Sequence, residues 1–365
     1  MWRRIGVGIW VCCLAVPAQA AEEKVLNVYN WSHYIGKQTL RRFESETGIK
    51  VRYDVYDSNE ILQGKLLTGR SGYDVVGPSM SFLANQLAAG AFRPLDKGKL
   101  PNYRQLDPAL LRQLAAADPG NRYALPYLWG TTSVAIDEDR VRRALGGAPP
   151  PADALALLFD PAYASKLRGC GVSMMMSPSQ VAVQALIYLG KDPGRNRPED
   201  LPAVAGLLRA VRPYVRVFTS TPINDLVNGE LCAAMIYSGD AYIAARRAGE
   251  AKSPRKIRYL LSPKGAELWV DTFAIPKDAP HPDNAHRFLD FMMRSEVMAE
   301  ISNELFYPNA LPASRPLLDG ALTADRNLYP DAAGMSKLRG QGRVPPALQR
   351  ERVRLFNQFK NNSYR

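Results

Sequence analysis

Val25-Leu26-Asn27-Val28-Tyr29-Asn30 is a short run dense in β-branched and aromatic side chains, and it reads as a strand. A helical stretch follows, with Leu40 and Phe43 on one face and Gly48 placed where a helix ends. Lys50 to Tyr56 alternates Val51, Tyr53 and Val55, the period of a second strand. A helix from Asn59 to Thr68 precedes Gly69, a third strand occupies Tyr73-Asp74-Val75-Val76, and Ser81 begins a helix through Leu83 and Leu87. Strands that alternate with helices over short connections predict an α/β fold whose sheet is mainly parallel and covered by helices.

The same grammar returns less regularly farther along. Leu231 to Tyr237 is almost continuously apolar, as expected of a strand buried on both faces, and Gly239-Asp240 introduces a helix through Ala245. Leu268 to Ile275 reads as another strand, and Ala285, Phe288, Leu289, Met292 and Met293 recur at helical spacing. Ala148-Pro149-Pro150-Pro151 and Asp192-Pro193-Gly194 mark loops. At 365 residues, 46% hydrophobic and 22% charged, the chain is long enough for two lobes, each with its own core.

The N-terminus carries a different signal. Met1 to Arg4 is basic, Ile5 to Pro17 is apolar, and Ala18-Gln19-Ala20 has the small-x-small pattern of a cleavage site. The apolar run is short for ~30 Å of hydrocarbon. Residues 1–20 therefore read as a signal peptide, with Ala21 as the new N-terminus. Val11 and Cys12, which precede Cys12 and Cys13, are not the small residues expected before a lipidated cysteine. Cleavage leaves Cys170 and Cys232, which in an exported chain are expected to pair; two buried free thiols are the alternative.

Loss of Arg3 and Arg4 lowers the formal net charge from +12 to +10. Lys337, Arg339, Arg343, Arg350, Arg352, Arg354, Lys360 and Arg365 crowd the C-terminal end. Export and the lack of a nucleic-acid motif favour a solvated basic face over nucleic-acid binding. Such charges leave room for a cationic ligand, since exposed charges beyond ~8 Å are largely screened. The three histidines, His33, His281 and His286, form no nucleophile–base or metal-ligand pattern. With no nucleophile elbow either, the reading is a non-enzyme without cofactor or metal. His281 and His286, at the start of an amphipathic helix, are expected on the surface.

Val28-Tyr29-Asn30-Trp31-Ser32-His33-Tyr34-Ile35 resembles the opening of the periplasmic putrescine- and spermidine-binding proteins. Further matching segments follow in order: Glu46-Thr47-Gly48-Ile49-Lys50-Val51, Asp57-Ser58-Asn59-Glu60, Tyr73-Asp74-Val75-Val76-Gly77-Pro78-Ser79 and Pro94-Leu95-Asp96-Lys97. Later come Pro126-Tyr127-Leu128-Trp129-Gly130-Thr131-Thr132, Tyr188-Leu189-Gly190-Lys191-Asp192-Pro193, Ile223-Asn224-Asp225-Leu226 and Phe306-Tyr307-Pro308-Asn309-Ala310. Each segment is weak evidence by itself; their ordered set spans nearly the whole chain after residue 20.

The resemblance implies a type II periplasmic binding protein fold, in which crossing strands join two lobes around a ligand cleft. It places the crossings near Thr131–Ser133 and Arg255–Tyr259. Lobe 1 would hold residues 21–132 and 257–311, and lobe 2 residues 133–256 and 312–365. The implied partners are a small amine, putrescine or a relative, and an inner-membrane ABC permease, with the protein a periplasmic monomer.

The implied ligand-binding residues are Trp31, Ser32, His33 and Tyr34 from the first loop, Ser79, Gln180, Tyr237, Asp240, Trp269, Asp271 and Tyr307. An alkyl diamine needs aromatic walls for its methylenes and anionic or π-rich groups for its ammonium ends. Trp269 and Asp271 lie two apart on one strand and share a face. Taken alone, Asp240 and Ser79 read equally well as helix caps, and Trp31 and Tyr307 as core residues. At His33 and Gln180 the putrescine binders usually carry carboxylates. That departure leaves open a modified amine or an ω-amino acid such as 5-aminovalerate; separately, the same polyamine-loaded fold could serve as a sensor docking on a membrane receptor.

Overall fold

The computed structural model describes residues 22–363. The signal-peptide assignment to residues 1–20, the new terminus at Ala21, and Arg365 lie outside the described residues. Nine strands form one sheet: β1 (Val25–Trp31), β2 (Lys50–Tyr56), β3 (Val75–Val76), β4 (Ala124–Asp137), β5 (Val172–Met174), β6 (Val217–Phe218), β7 (Ala233–Tyr237), β8 (Ile257–Leu260) and β9 (Glu267–Ala274). Their order is β2-β1-β3-β9-β4-β7-β5-β6, with β8 also on β4.

Each outer part of the sheet is parallel, β1 with β2 and β3, and β5 with β6 and β7. The centre is not. β3–β9, β9–β4, β4–β7 and β4–β8 all pair antiparallel, which corrects the expectation of a mainly parallel sheet. The reason is connectivity: β4 carries the chain out of the first lobe into the second and β9 brings it back. Along β4, Ala124 to Thr132 pairs with β9 and Thr132 to Ile136 pairs with β7. Thr132 therefore stands where pairing with β9 gives way to pairing with β7, opposite Glu267 on one side and Tyr237 on the other.

Helices cover both faces in both lobes, so each lobe has two cores. In the first, Leu26, Val28, Phe43, Val75, Phe273 and Phe288 pack on one side of the strands. Tyr56, Leu62, Val76 and Leu83 pack on the other. In the second, the apolar run of β7 divides by alternation: Ala233 and Met235 join Val134, Phe159 and Val181, while Ala234 and Ile236 join Leu226, Ala244 and Tyr259. Each large apolar side chain so buried is worth about 1.5–3 kcal/mol, which is why a fully apolar strand is stable only between two helical layers.

β2 is an edge strand, and its alternation ends early: Val55 is exposed while Tyr56 is buried. The C-terminal helix Pro346–Asn361 returns to the second lobe, where Leu355, Phe356 and Phe359 join its core. Cys170 and Cys232 form a disulfide, with Cα atoms 5.5 Å apart, across 62 residues of chain. The expectation of surface histidines is corrected. His286 is buried, its Nε2 accepts from the Asp96 N–H at 2.9 Å, and Nδ1 lies 2.6 Å from the Pro282 carbonyl. His281 packs on the buried Asp74 carboxylate at 3.1 Å. Among the described residues no helix is long and apolar enough to cross a membrane.

Candidate functional site

The strand ends that meet where the lobes face each other build a cleft of about 1000 Å³, partly open to solvent. Every residue named by the resemblance lines it: Trp31, Ser32, His33, Tyr34, Ser79, Gln180, Tyr237, Asp240, Trp269, Asp271 and Tyr307. β1 delivers Trp31, whose Nε1 donates to the Gly77 carbonyl at 3.0 Å and whose ring leans on Tyr56 with centroids 4.8 Å apart. The chain then turns through His33, a left-handed residue (φ 56°) whose side chain is exposed at the rim. Ser32 donates to Asp57 at 2.7 Å across the same rim.

Ser79 occupies the N-cap position of the helix Met80–Ala88, yet its hydroxyl makes no cap. It donates to Asp271 instead, and Asn59 holds it by two bonds: Asn59 Nδ2 to Ser79 Oγ at 3.0 Å, and the Ser79 N–H to Asn59 Oδ1 at 3.1 Å. Asp240 is not a cap either, because Tyr237 takes the N-cap position of the helix Ser238–Glu250 and Asp240 falls in its first turn. Its carboxylate accepts from Tyr307 Oη at 3.0 Å, and its backbone N–H donates to the same oxygen at 3.2 Å. Gly239 makes this contact feasible, since a Cβ there would lie 2.4 Å from the Tyr307 ring.

Trp269 meets Tyr237 and Tyr307 edge-on, with centroids 5.6 and 5.3 Å apart, and Tyr307 meets Tyr34 at 5.4 Å. The result is one continuous aromatic wall. Gln180, buried in the first turn of the helix Pro178–Tyr188 that Ser177 caps, enters from the second lobe.

Sequence reasoning missed three carboxylates on this surface: Asp57, Glu60 and Glu267. Asp57 and Glu60 lay in a segment matched to the family and at the start of the Asn59–Thr68 helix, with no binding role given to either. Glu267 precedes Trp269 and Asp271 on β9 by two and four residues, so the period of the strand was a usable signal. With Asp240 and Asp271 they make five carboxylates, while no Lys or Arg among the described residues lines the cleft.

Burial dominates the acidities. It raises Asp240 to about 6 against the Tyr307 hydrogen bond and nearby Arg247. It raises Asp271 to about 7 against the bond from Ser79 and the nearby Tyr34 hydroxyl. It raises Glu267 to about 7 against the Gln341 bond and the nearby Gln180 and Arg352, and it also raises Glu60. A cation placed among these groups would favour their charged forms and reverse the shifts.

The sequence profile of the bacterial extracellular solute-binding proteins matches residues 38–329. The chain belongs to that family. This solute-binding protein is 46% identical to the putrescine-binding periplasmic protein SpuD of Pseudomonas aeruginosa over 99% of its own length and 100% of the relative's. It is 43% identical to the putrescine-binding periplasmic protein PotF of Escherichia coli, over 95% and 94% of the two chains. Among solved structures it resembles the spermidine/putrescine ABC transporter substrate-binding protein PotD of Streptococcus pneumoniae, with a TM-score of 0.75 and 25% identity over 93% of this chain and 99% of that one. The fold is thus the two-lobed α/β fold of periplasmic binding proteins, and the family binds solutes rather than transforming them.

Proposed function

We propose that this solute-binding protein captures an aliphatic amine with at least two ammonium groups, putrescine or a related polyamine, and delivers it to an inner-membrane ABC permease. One observation carries the reading: five carboxylates and an aromatic wall enclose a cleft that, among the described residues, no Lys or Arg lines. A close ammonium–carboxylate pair is worth up to about 4 kcal/mol at an effective dielectric of 20, before desolvation. In this reading Asp240 and Asp271 pair with ammonium groups. Trp31, Tyr34, Tyr237, Trp269 and Tyr307 receive the methylenes and add cation–π attraction. Ser32, His33, Ser79 and Gln180 supply hydrogen bonds. An ω-amino acid would need a cation for its carboxylate, and among the described residues no Lys or Arg lines the cleft. The names of the relatives point the same way.

In this reading the protein works as a periplasmic monomer after removal of residues 1–20. On the same reading the lobes are joined near Thr131–Ser133 and again between β8 and β9 rather than at Arg255–Tyr259, because β8 pairs with the same half of β4 as β7 does. A calorimetric panel of putrescine, cadaverine, spermidine, agmatine, 5-aminovalerate and 4-aminobutyrate tests the reading. Saturable binding of a di- or polyamine is expected, and binding of the amino acids alone would overturn it.

A further inference from the structure

Glu267 is a fully buried carboxylate at the first position of β9, beside the point where β4 passes between lobes. One of its oxygens is fixed: Gln341 Nε2 donates to Oε1. Gln341 Oε1 in turn accepts from Arg352 at 3.2 Å, and Arg352, itself buried, also donates to Asn196 at 3.2 Å. The amide of Gln341 therefore transmits the charge of Arg352 to one face of the carboxylate. The other oxygen, Oε2, is buried on the cleft wall with no hydrogen-bond partner, and so is Oε1 of Gln180. A buried carboxylate oxygen left unpaired is costly and marks a place where a donor belongs.

Strand geometry places that donor. Glu267, Trp269 and Asp271 alternate onto one face of β9, so the two carboxylates flank the indole with Cα atoms ~13 Å apart. We infer that Glu267 is a ligand-binding carboxylate that pairs, together with Gln180, with the ammonium group farther from Asp271. It supplies the anion that His33 and Gln180 do not, from a distant position in the chain that the fold brings to the same cleft. This rests on the amine-binding reading above, and it makes the site selective for amines with two or more charges over monoamines.

The test is titration calorimetry of the full-length secreted protein and its E267Q variant with putrescine, spermidine and 1-aminobutane. E267Q keeps the shape and the bond partners, so the expected result is a loss of about tenfold or more for putrescine and spermidine, with 1-aminobutane unchanged. The Gln180→Glu/Glu267→Gln double variant moves the charge to the adjacent side chain and should regain most of the diamine affinity. Equal weakening of all three amines, or no recovery in the double variant, would assign Glu267 to support of Gln341 and Arg352 alone. Unchanged diamine affinity in folded E267Q overturns this inference and leaves the function reading standing. A wild-type protein that binds none of these amines overturns both.

Discussion

Asp240 and Asp271 answer to the same physics from different surroundings. Each is surrounded by protein and held by a hydroxyl, Tyr307 for one and Ser79 for the other. Asp240→Asn or Asp271→Asn should lower diamine affinity by about tenfold or more, read by calorimetry on the folded variants. The raised acidities fix a pH dependence as well. Burial raises Asp240 to about 6 and Asp271 and Glu267 to about 7, so at lower pH an ammonium must expel protons from these three carboxyls to bind. Diamine affinity should therefore climb between pH 5 and 8, by up to about tenfold per unit for each proton released, and level off above. Calorimetry in buffers of different ionisation enthalpy counts those protons. For folding the sign reverses. These groups sit above their unfolded values near 4, so they stabilise the unliganded protein at low pH, and that contribution is lost as pH rises through about 6 to 7. Ligand-induced thermal shifts should grow over the same range.

At the scale of elements, the cleft depends on how helices begin. The helix Ser238–Glu250 starts with Gly239 against the Tyr307 ring, so Gly239→Ala should displace the ring, cost about 1–3 kcal/mol of stability and weaken amine binding. Denaturant unfolding and calorimetry on one preparation separate the two effects. Across the cleft, Gln349 of the C-terminal helix donates to Ser179 at 3.0 Å and reaches Glu60 on the helix Asn59–Leu67 at 3.4 Å. This small bridge ties the two sides together. Gln349→Ala should weaken amine binding by about fivefold, the worth of a neutral hydrogen bond, mainly through faster dissociation in stopped-flow traces. The alternation of strand and helix up to Leu87 was legible to within a residue or two, because Gly48, Ser58 and Gly69 punctuate it chemically. β4 was not legible as a strand. Its fourteen residues run through Pro126 and Gly130 across a register shift, and its role follows from two different partners.

For the whole molecule, the disulfide is a feature of stability rather than of the site, and of the C-terminal basic cluster expected on a solvated face, Arg352 is buried instead. Neither cysteine lines the cleft, and 62 residues separate them. Replacing Cys170 and Cys232 with serine should cost up to about 4 kcal/mol in chemical denaturation, with amine affinity little changed. The net positive charge coexists with an anionic cleft because burial and distance, not the sum of charges, set the field inside it. The amino-acid sequence alone determined the α/β class, since periodicity and punctuation are local properties; it favoured pairing of the two cysteines, and the ordered motifs of the resemblance pointed to Trp31, Ser79, Asp240 and Tyr307. Tertiary structure alone decided the antiparallel centre, the burial of His286, and the places of Asp57, Glu60 and Glu267. Those depend on which strands become neighbours and which carboxylates end up facing one another without water. No stretch of chain carries that information by itself, because it comes from contacts between residues far apart in sequence.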